Sequence, residues 1–70
     1  MNQSICIVGM GYIGLPTAVV LANCGYKVSG FDINPDIVSS VNKGVSHIAE
    51  PDLDLMLQNV ISKGDLVCYS

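Results

Sequence analysis

Residues 5–14 read Ile5-Cys6-Ile7-Val8-Gly9-Met10-Gly11-Tyr12-Ile13-Gly14, four consecutive apolar residues followed at once by glycines in the pattern G-x-G-x-x-G. An apolar run without polar alternation is the pattern of a strand covered on both faces of a parallel sheet, so Ile5 to Val8 is expected as a central strand. The glycines have separate physical tasks. Gly9 permits the tight turn out of the strand, Gly11 lets the backbone approach a pyrophosphate, and Gly14 lets the next helix sit close to the sheet. An anion placed there meets the amides of a helix N-terminus.

Outward from the glycines, Ile13, Ala18, Val19, Leu21 and Ala22 supply an apolar helical face, and Gly25 stands where a left-handed residue would end the helix. Tyr26 to Asp32 then reads as a second strand, ending eighteen residues after Gly14. A carboxylate at that tip can accept hydrogen bonds from an adenosine ribose. Ile33 and Asn34 offer no cation for a 2′-phosphate, which favours NAD over NADP. Strand, glycine turn, helix, strand and acid together make a dinucleotide-binding fingerprint in its required context. Pro16 is the local oddity: it removes the amide that would bond to the Tyr12 carbonyl and biases Leu15 away from helical geometry, which can loosen the first turn unless the turn tolerates it.

Asn34-Pro35-Asp36 reads as an N-cap, a proline at the first helical position and an acidic first turn, with Ile37, Val38 and Val41 turned inward and Gly44 closing. Glu50-Pro51-Asp52 starts a further helix. In it Leu53, Met56, Leu57, Val60 and Ile61 recur at i, i+3, i+4, i+7 and i+8, and Gly64 ends it. Leu66 to Tyr69 reads as a third strand. The fold class is α/β: a partial Rossmann, doubly wound parallel sheet in the order β-α-β-α-α-β, with right-handed crossovers. Its full spatial order is 3-2-1-4-5-6, and without a fourth strand Ile5 to Val8 becomes an exposed apolar edge.

Composition bounds the partners. The chain has 70 residues, half of them hydrophobic and only 13% charged, where soluble domains usually carry about 25% charge. A chain of this length buries only about 60% of its unfolded surface. More protein around it is expected, and residues 1–70 are read as the N-terminal part of a longer NAD-binding domain. The net charge is −3, with Lys27, Lys43 and Lys63 as the basic residues. No cluster of them can neutralise phosphates, so neither nucleic acid nor an anionic membrane is expected as a partner. Cys6, Cys24 and Cys68 lack CxxC spacing and are read as buried thiols in a reducing, cytoplasmic compartment.

With Leu15-Pro16-Thr17-Ala18 continuing the glycine run, and with Asp32-Ile33-Asn34 and Asn42-Lys43-Gly44, the chain resembles the UDP-glucose/GDP-mannose dehydrogenase family over essentially its whole length. Within that family, His47-Ile48-Ala49-Glu50-Pro51-Asp52-Leu53 is most similar to the group acting on UDP-N-acetyl-D-mannosamine, whose uronic acids serve surface polysaccharides. The resemblance implies an NAD-dependent oxidoreductase that converts the sugar C6 hydroxyl to a carboxylate in two hydride transfers, and a homo-oligomeric longer enzyme. It also implies that the nucleophilic cysteine lies in a distant glycine-rich motif, so no catalytic residue is assigned here. Cofactor binding does carry over, to Gly9, Gly11, Gly14, the backbone of Tyr12 and Ile13, and the Asp32 carboxylate.

Other chemistry-bearing residues have plainer readings. His47 stands alone in a loop, without partners at ligand spacing, and is read as structural or solvated. Glu50, Asp52 and Asp54 suit the positive end of a helix rather than a metal. Asn34 is read as a cap in preference to an adenine contact. None of the cysteines has a neighbouring base, as a nucleophile requires. Two other classes stay open on the residues alone. One is a different NAD- or FAD-dependent oxidoreductase, since Gly14 with Ala18 suits both cofactors. The other is a non-enzymatic dinucleotide-binding module or inactive remnant.

Overall fold

Parallel pairing in matched register decides which side chains meet. In the computed structural model, which describes residues 3–11, 13–46 and 50–70, the elements run β1 (Ser4–Val8), α1 (Gly14–Asn23), β2 (Lys27–Phe31), α2 (Pro35–Asn42), α3 (Pro51–Ser62) and β3 (Leu66–Tyr69). The strands form one parallel sheet in the order β1-β2-β3, with Ile5 opposite Val28 and Val28 opposite Leu66. The next row on the same face is Ile7, Gly30 and Cys68. These two rows turn toward α1 and α3, and Val28, Leu66 and Cys68 are buried there with Leu15, Ala18, Val19, Ala22, Leu53, Leu57 and Val60.

The opposite face has no covering among the described residues. Its rows are Cys6, Ser29 and Val67, then Val8, Phe31 and Tyr69, with the Phe31 and Tyr69 rings stacked at a centroid distance of 5.5 Å. Val8 is 85% exposed, and Val67 and Tyr69 are exposed as well. Ile5 to Val8 thus forms the exposed apolar edge expected when no fourth strand lies beside it, rather than a central strand covered on both faces. β1 is an edge strand, and only its Ile5 and Ile7 side is packed against the core. Its apolar pattern is two-sided; its packing in this chain is one-sided.

The thiols follow the same logic. Cys68 is buried on the inner face, where desolvation, the largest cause, pushes its pKa up. Cys6 on the outer face and Cys24 at the end of α1 are exposed, which corrects the expectation of three buried thiols. Ile13, expected on the packed helical face, is 83% exposed because it is the N-cap of α1 and precedes the packed turns. Leu15 takes that place in the core.

Helix boundaries obey local chemistry. Asn34 caps α2 by accepting the Asp36 amide at 2.9 Å, with Pro35 beginning the helix. The chain leaves each helix through a glycine with positive φ, Gly25, Gly44 and Gly64. Pro16 does not loosen α1. It occupies the third helical position, in a first turn whose amides have no partner inside the helix, and the ladder begins one residue later as the Thr17 amide reaches the Ile13 carbonyl at 3.2 Å. β2 ends at Phe31, so Asp32 lies just past the strand.

β3 forms the other edge of the sheet, and a side chain from α2 closes it. Asn42 donates from Nδ2 to the Cys68 carbonyl and accepts the Cys68 amide on Oδ1, both at 2.8 Å. An asparagine side chain thus replaces a neighbouring strand, as an edge requires if its amides are to stay paired.

Candidate functional site

The glycine turn lies at the carboxyl ends of β1 and β2, where open α/β sheets bind ligands. Gly9 has φ +90°, a region that L side chains rarely adopt, and its amide donates to the Phe31 carbonyl at 2.7 Å. Gly14 is held for a different reason: a Cβ there would lie 1.8 Å from the Gly9 carbonyl oxygen, so only glycine lets α1 start this close to the turn. Around Gly11 a Cβ would meet nothing within 4 Å. The middle glycine therefore borders open space, as a position left clear for a ligand does.

The start of α1 differs electrically from the other two helix starts. Its N-cap is Ile13, with no side-chain hydrogen bond and no acid in the first turn. α2 has Asn34 and Asp36, and α3 has Asp52 and Asp54. A helix carries about half a positive charge at its N-terminus, stabilised by nearby anions. At α1 the protein supplies no such anion from the helix itself, and the open side of the glycine turn lies there.

Asp32 closes the other side. Its Oδ2 accepts the Met10 amide at 2.8 Å and its Oδ1 accepts the Asn34 amide at 2.9 Å. Each carboxylate oxygen has two lone pairs, so accepting backbone amides and accepting ribose hydroxyls are compatible tasks. Val8, Gly9, Phe31, Asp32, Ile33 and Ser70 line a recess of about 220 Å³ beside it. Its mainly apolar walls, with Asp32 at the rim, suit a flat aromatic base joined to a sugar.

The structure thus brings Gly9, Gly11, Ile13, Gly14 and Asp32 together at one end of the sheet. Tyr12 and His47 lie outside the described residues. Sequence reasoning missed Met10 and Gly30. Met10 stands at a variable position of the fingerprint, yet its side chain is fully buried. Gly30 is where that side chain rests, since a Cβ on Gly30 would come 2.7 Å from the Met10 sulfur. The available signal was a glycine inside an otherwise regular strand, which marks close approach of another group.

Residues 3–70 match the UDP-glucose/GDP-mannose dehydrogenase family, NAD binding domain. The chain belongs to this family. It is similar to the UDP-N-acetyl-D-mannosamine dehydrogenase of Campylobacter jejuni, 50% identical over 68 residues that are 94% of this chain and 17% of that protein. An NDP-N-acetyl-D-galactosaminuronic acid dehydrogenase of Ralstonia nicotianae is also 50% identical, over 91% of this chain and 15% of its own length. The solved UDP-glucose dehydrogenase of Pyrobaculum islandicum superposes on the whole chain with a TM-score of 0.93 at 37% identity, through 16% of its length. The chain spans about a sixth of the curated relatives' length. As the cofactor-binding part of this family, it is a domain for NAD.

The residues present fit that cofactor. Open space at Gly11 and the unneutralised start of α1 suit a pyrophosphate, and the Asp32 carboxylate suits a ribose diol.

Proposed function

We propose that residues 1–70 form the N-terminal NAD-holding part of a nucleotide-sugar 6-dehydrogenase, with UDP-N-acetyl-D-mannosamine as the sugar nucleotide. The observation that carries the cofactor reading is the juxtaposition of open space at Gly11, an α1 start with neither a side-chain cap nor an acid in its first turn, and the Asp32 carboxylate. In this reading the turn at Gly9, Gly11 and Gly14, with the backbone of Tyr12 and Ile13, holds the pyrophosphate, and Asp32 holds the adenosine ribose. Bound NAD supplies the hydride acceptor. Taking a primary alcohol to a carboxylate removes four electrons, so two NAD are reduced and one water is consumed per sugar.

The residues of this chain bind and orient; the reading places the covalent chemistry outside residues 1–70. The sugar assignment is supported by the name of the C. jejuni relative. The R. nicotianae protein, equally identical, acts on a differently named sugar nucleotide, which is physically reasonable because a cofactor half need not touch the sugar. A cytoplasmic, homo-oligomeric enzyme completes the proposal. Among the described residues no helix is long and apolar enough to cross a membrane, and the cysteines are unpaired.

The test uses the gene product at the length of its relatives, incubated with NAD and each candidate sugar nucleotide. Appearance of two NADH per UDP-N-acetyl-D-mannosamine, with a uronate product, is the expected result. Turnover of a different sugar nucleotide alone would overturn the sugar assignment, and absence of NAD reduction with any of them would overturn the enzyme assignment. Titration with FAD in place of NAD separates the flavoenzyme reading.

A further inference from the structure

We propose that Gly30 is a positioning residue of the cofactor site: by leaving room for the Met10 side chain, it sets where the glycine turn lies. The inference rests on the NAD reading above but concerns a residue outside the fingerprint. Met10 is held at two points. Its side chain is fully buried, and its amide donates to Asp32 Oδ2 at 2.8 Å. Gly30 and Asp32 are two residues apart, so both points of attachment belong to one stretch of chain. A Cβ on Gly30 would lie 2.7 Å from the Met10 Sδ, 2.8 Å from its Cε and 3.3 Å from its Cγ.

A methionine tip is flexible and at a surface would swing aside. Here it is enclosed in the same cluster as Leu15, Ala18 and Val19, and close-packed interiors transmit displacement. In this proposal the enclosed tip passes part of the displacement to the Met10 backbone, which lies between Gly9 and Gly11. That backbone carries the amide bound to Asp32, so a shift would disturb the turn and the ribose acceptor together. Met10 and Gly30 form a size-matched pair, and the pair fixes the height of the turn above the sheet.

The test compares wild type, Gly30→Ala, Met10→Val and the double variant in the full chain, by NAD titration, amide hydrogen exchange at Met10 and Gly11, and thermal unfolding. Replacing a strand glycine by alanine ordinarily favours folding by restricting the unfolded chain. Gly30→Ala should instead weaken NAD binding about tenfold, equivalent to about 1.4 kcal/mol, and speed exchange at Met10. Adding Met10→Val removes the Sδ and Cε and should restore most of both. Equal NAD affinity for wild type and Gly30→Ala, or a double variant no better than the single one, overturns the proposal. A shift in unfolding temperature alone, with affinity unchanged, shows a merely structural glycine and also overturns it. If Gly30→Ala does not fold, Met10→Val alone decides, with faster exchange at Gly11 and weaker NAD binding expected and unchanged values overturning the idea. If wild type binds no NAD, the cofactor reading falls by itself, and exchange at Met10 across the four proteins still decides whether Gly30 positions the turn.

Discussion

The Met10 amide and the Asp32 carboxylate, 22 residues apart in sequence, are joined by a 2.8 Å hydrogen bond that ties the glycine turn to the end of β2. The group expected to hold the ribose therefore already has a task in the protein itself. Asp32 links the two halves of the site before any ligand is considered.

From this link, Asp32→Ala should lose more than a ribose contact. Hydrogen bonds to a charged group contribute about 1.5–3 kcal/mol each, and two backbone amides lose theirs. Because the site is partly exposed, a stability loss of about 1–2 kcal/mol is expected in chemical denaturation. NAD affinity should fall at the same time, while the preference for NAD over NADP shrinks because the acid no longer opposes a 2′-phosphate. An unchanged ratio of the two affinities would remove Asp32 from the ribose site.

Gly11 and Gly14 should separate binding from folding. A Cβ at Gly14 collides with backbone at 1.8 Å, whereas at Gly11 it meets nothing within 4 Å. Gly14→Ala is expected to cost about 3 kcal/mol or more, as severe overpacking does. Gly11→Ala should leave unfolding nearly unchanged and abolish measurable NAD binding, since in the proposed site the methyl enters the space assigned to the pyrophosphate. Calorimetric titration beside thermal unfolding checks both, and NAD binding retained in Gly11→Ala would relocate the pyrophosphate.

Asn42 tests the closed edge of β3. Asn42→Asp keeps an acceptor for the Cys68 amide but turns a second carboxylate oxygen toward the Cys68 carbonyl, where Nδ2 now donates. The neutral acid can donate there and the anion cannot, so the folded-state pKa of the new carboxyl rises above about 3.9, its unfolded value. Stability of this variant should be greatest below that unfolded value and fall as pH rises through the folded one. Wild type should lack this loss, and parallel urea titrations at several pH values would show the difference.

How much of this was legible from sequence depends on the distance between partners. The Asn34 cap, the α3 stripe of Leu53, Leu57 and Val60, and the glycines that end helices are local patterns, and the structure places them as read. The fingerprint converges as its spacing implies, because turn geometry and strand length are local too. Gly30 inside a strand signals that some group comes close, but that the group is Met10, and that Asn42 meets Cys68, was not legible, since each pair joins segments 20 or more residues apart. The two-sided apolar pattern of β1 was legible as an exposed edge, and Cys6 and Val8 do lie on a face that the described residues leave open; only the burial expected of the Cys6 thiol fails there.

The thiols and that open face give the last prediction. Burial pushes the Cys68 thiol above its ordinary pKa, so the folded state favours the neutral form. Its contribution to stability is complete below the unfolded pKa, about 8.5, and is lost as pH rises through the folded value. Stability should therefore decline above about pH 8.5, and Cys68→Ala should flatten that decline while adding a cavity cost of about 1 kcal/mol. In the native chain an alkylating reagent should reach Cys6 and Cys24 and spare Cys68 until denaturant is added. Cys6 also reports on the outer sheet face, since it lies in one row with Ser29 and Val67. Anything that covers this face should protect Cys6 from alkylation while leaving Cys24 reactive, whereas equal rates in both surroundings would show that the face stays open.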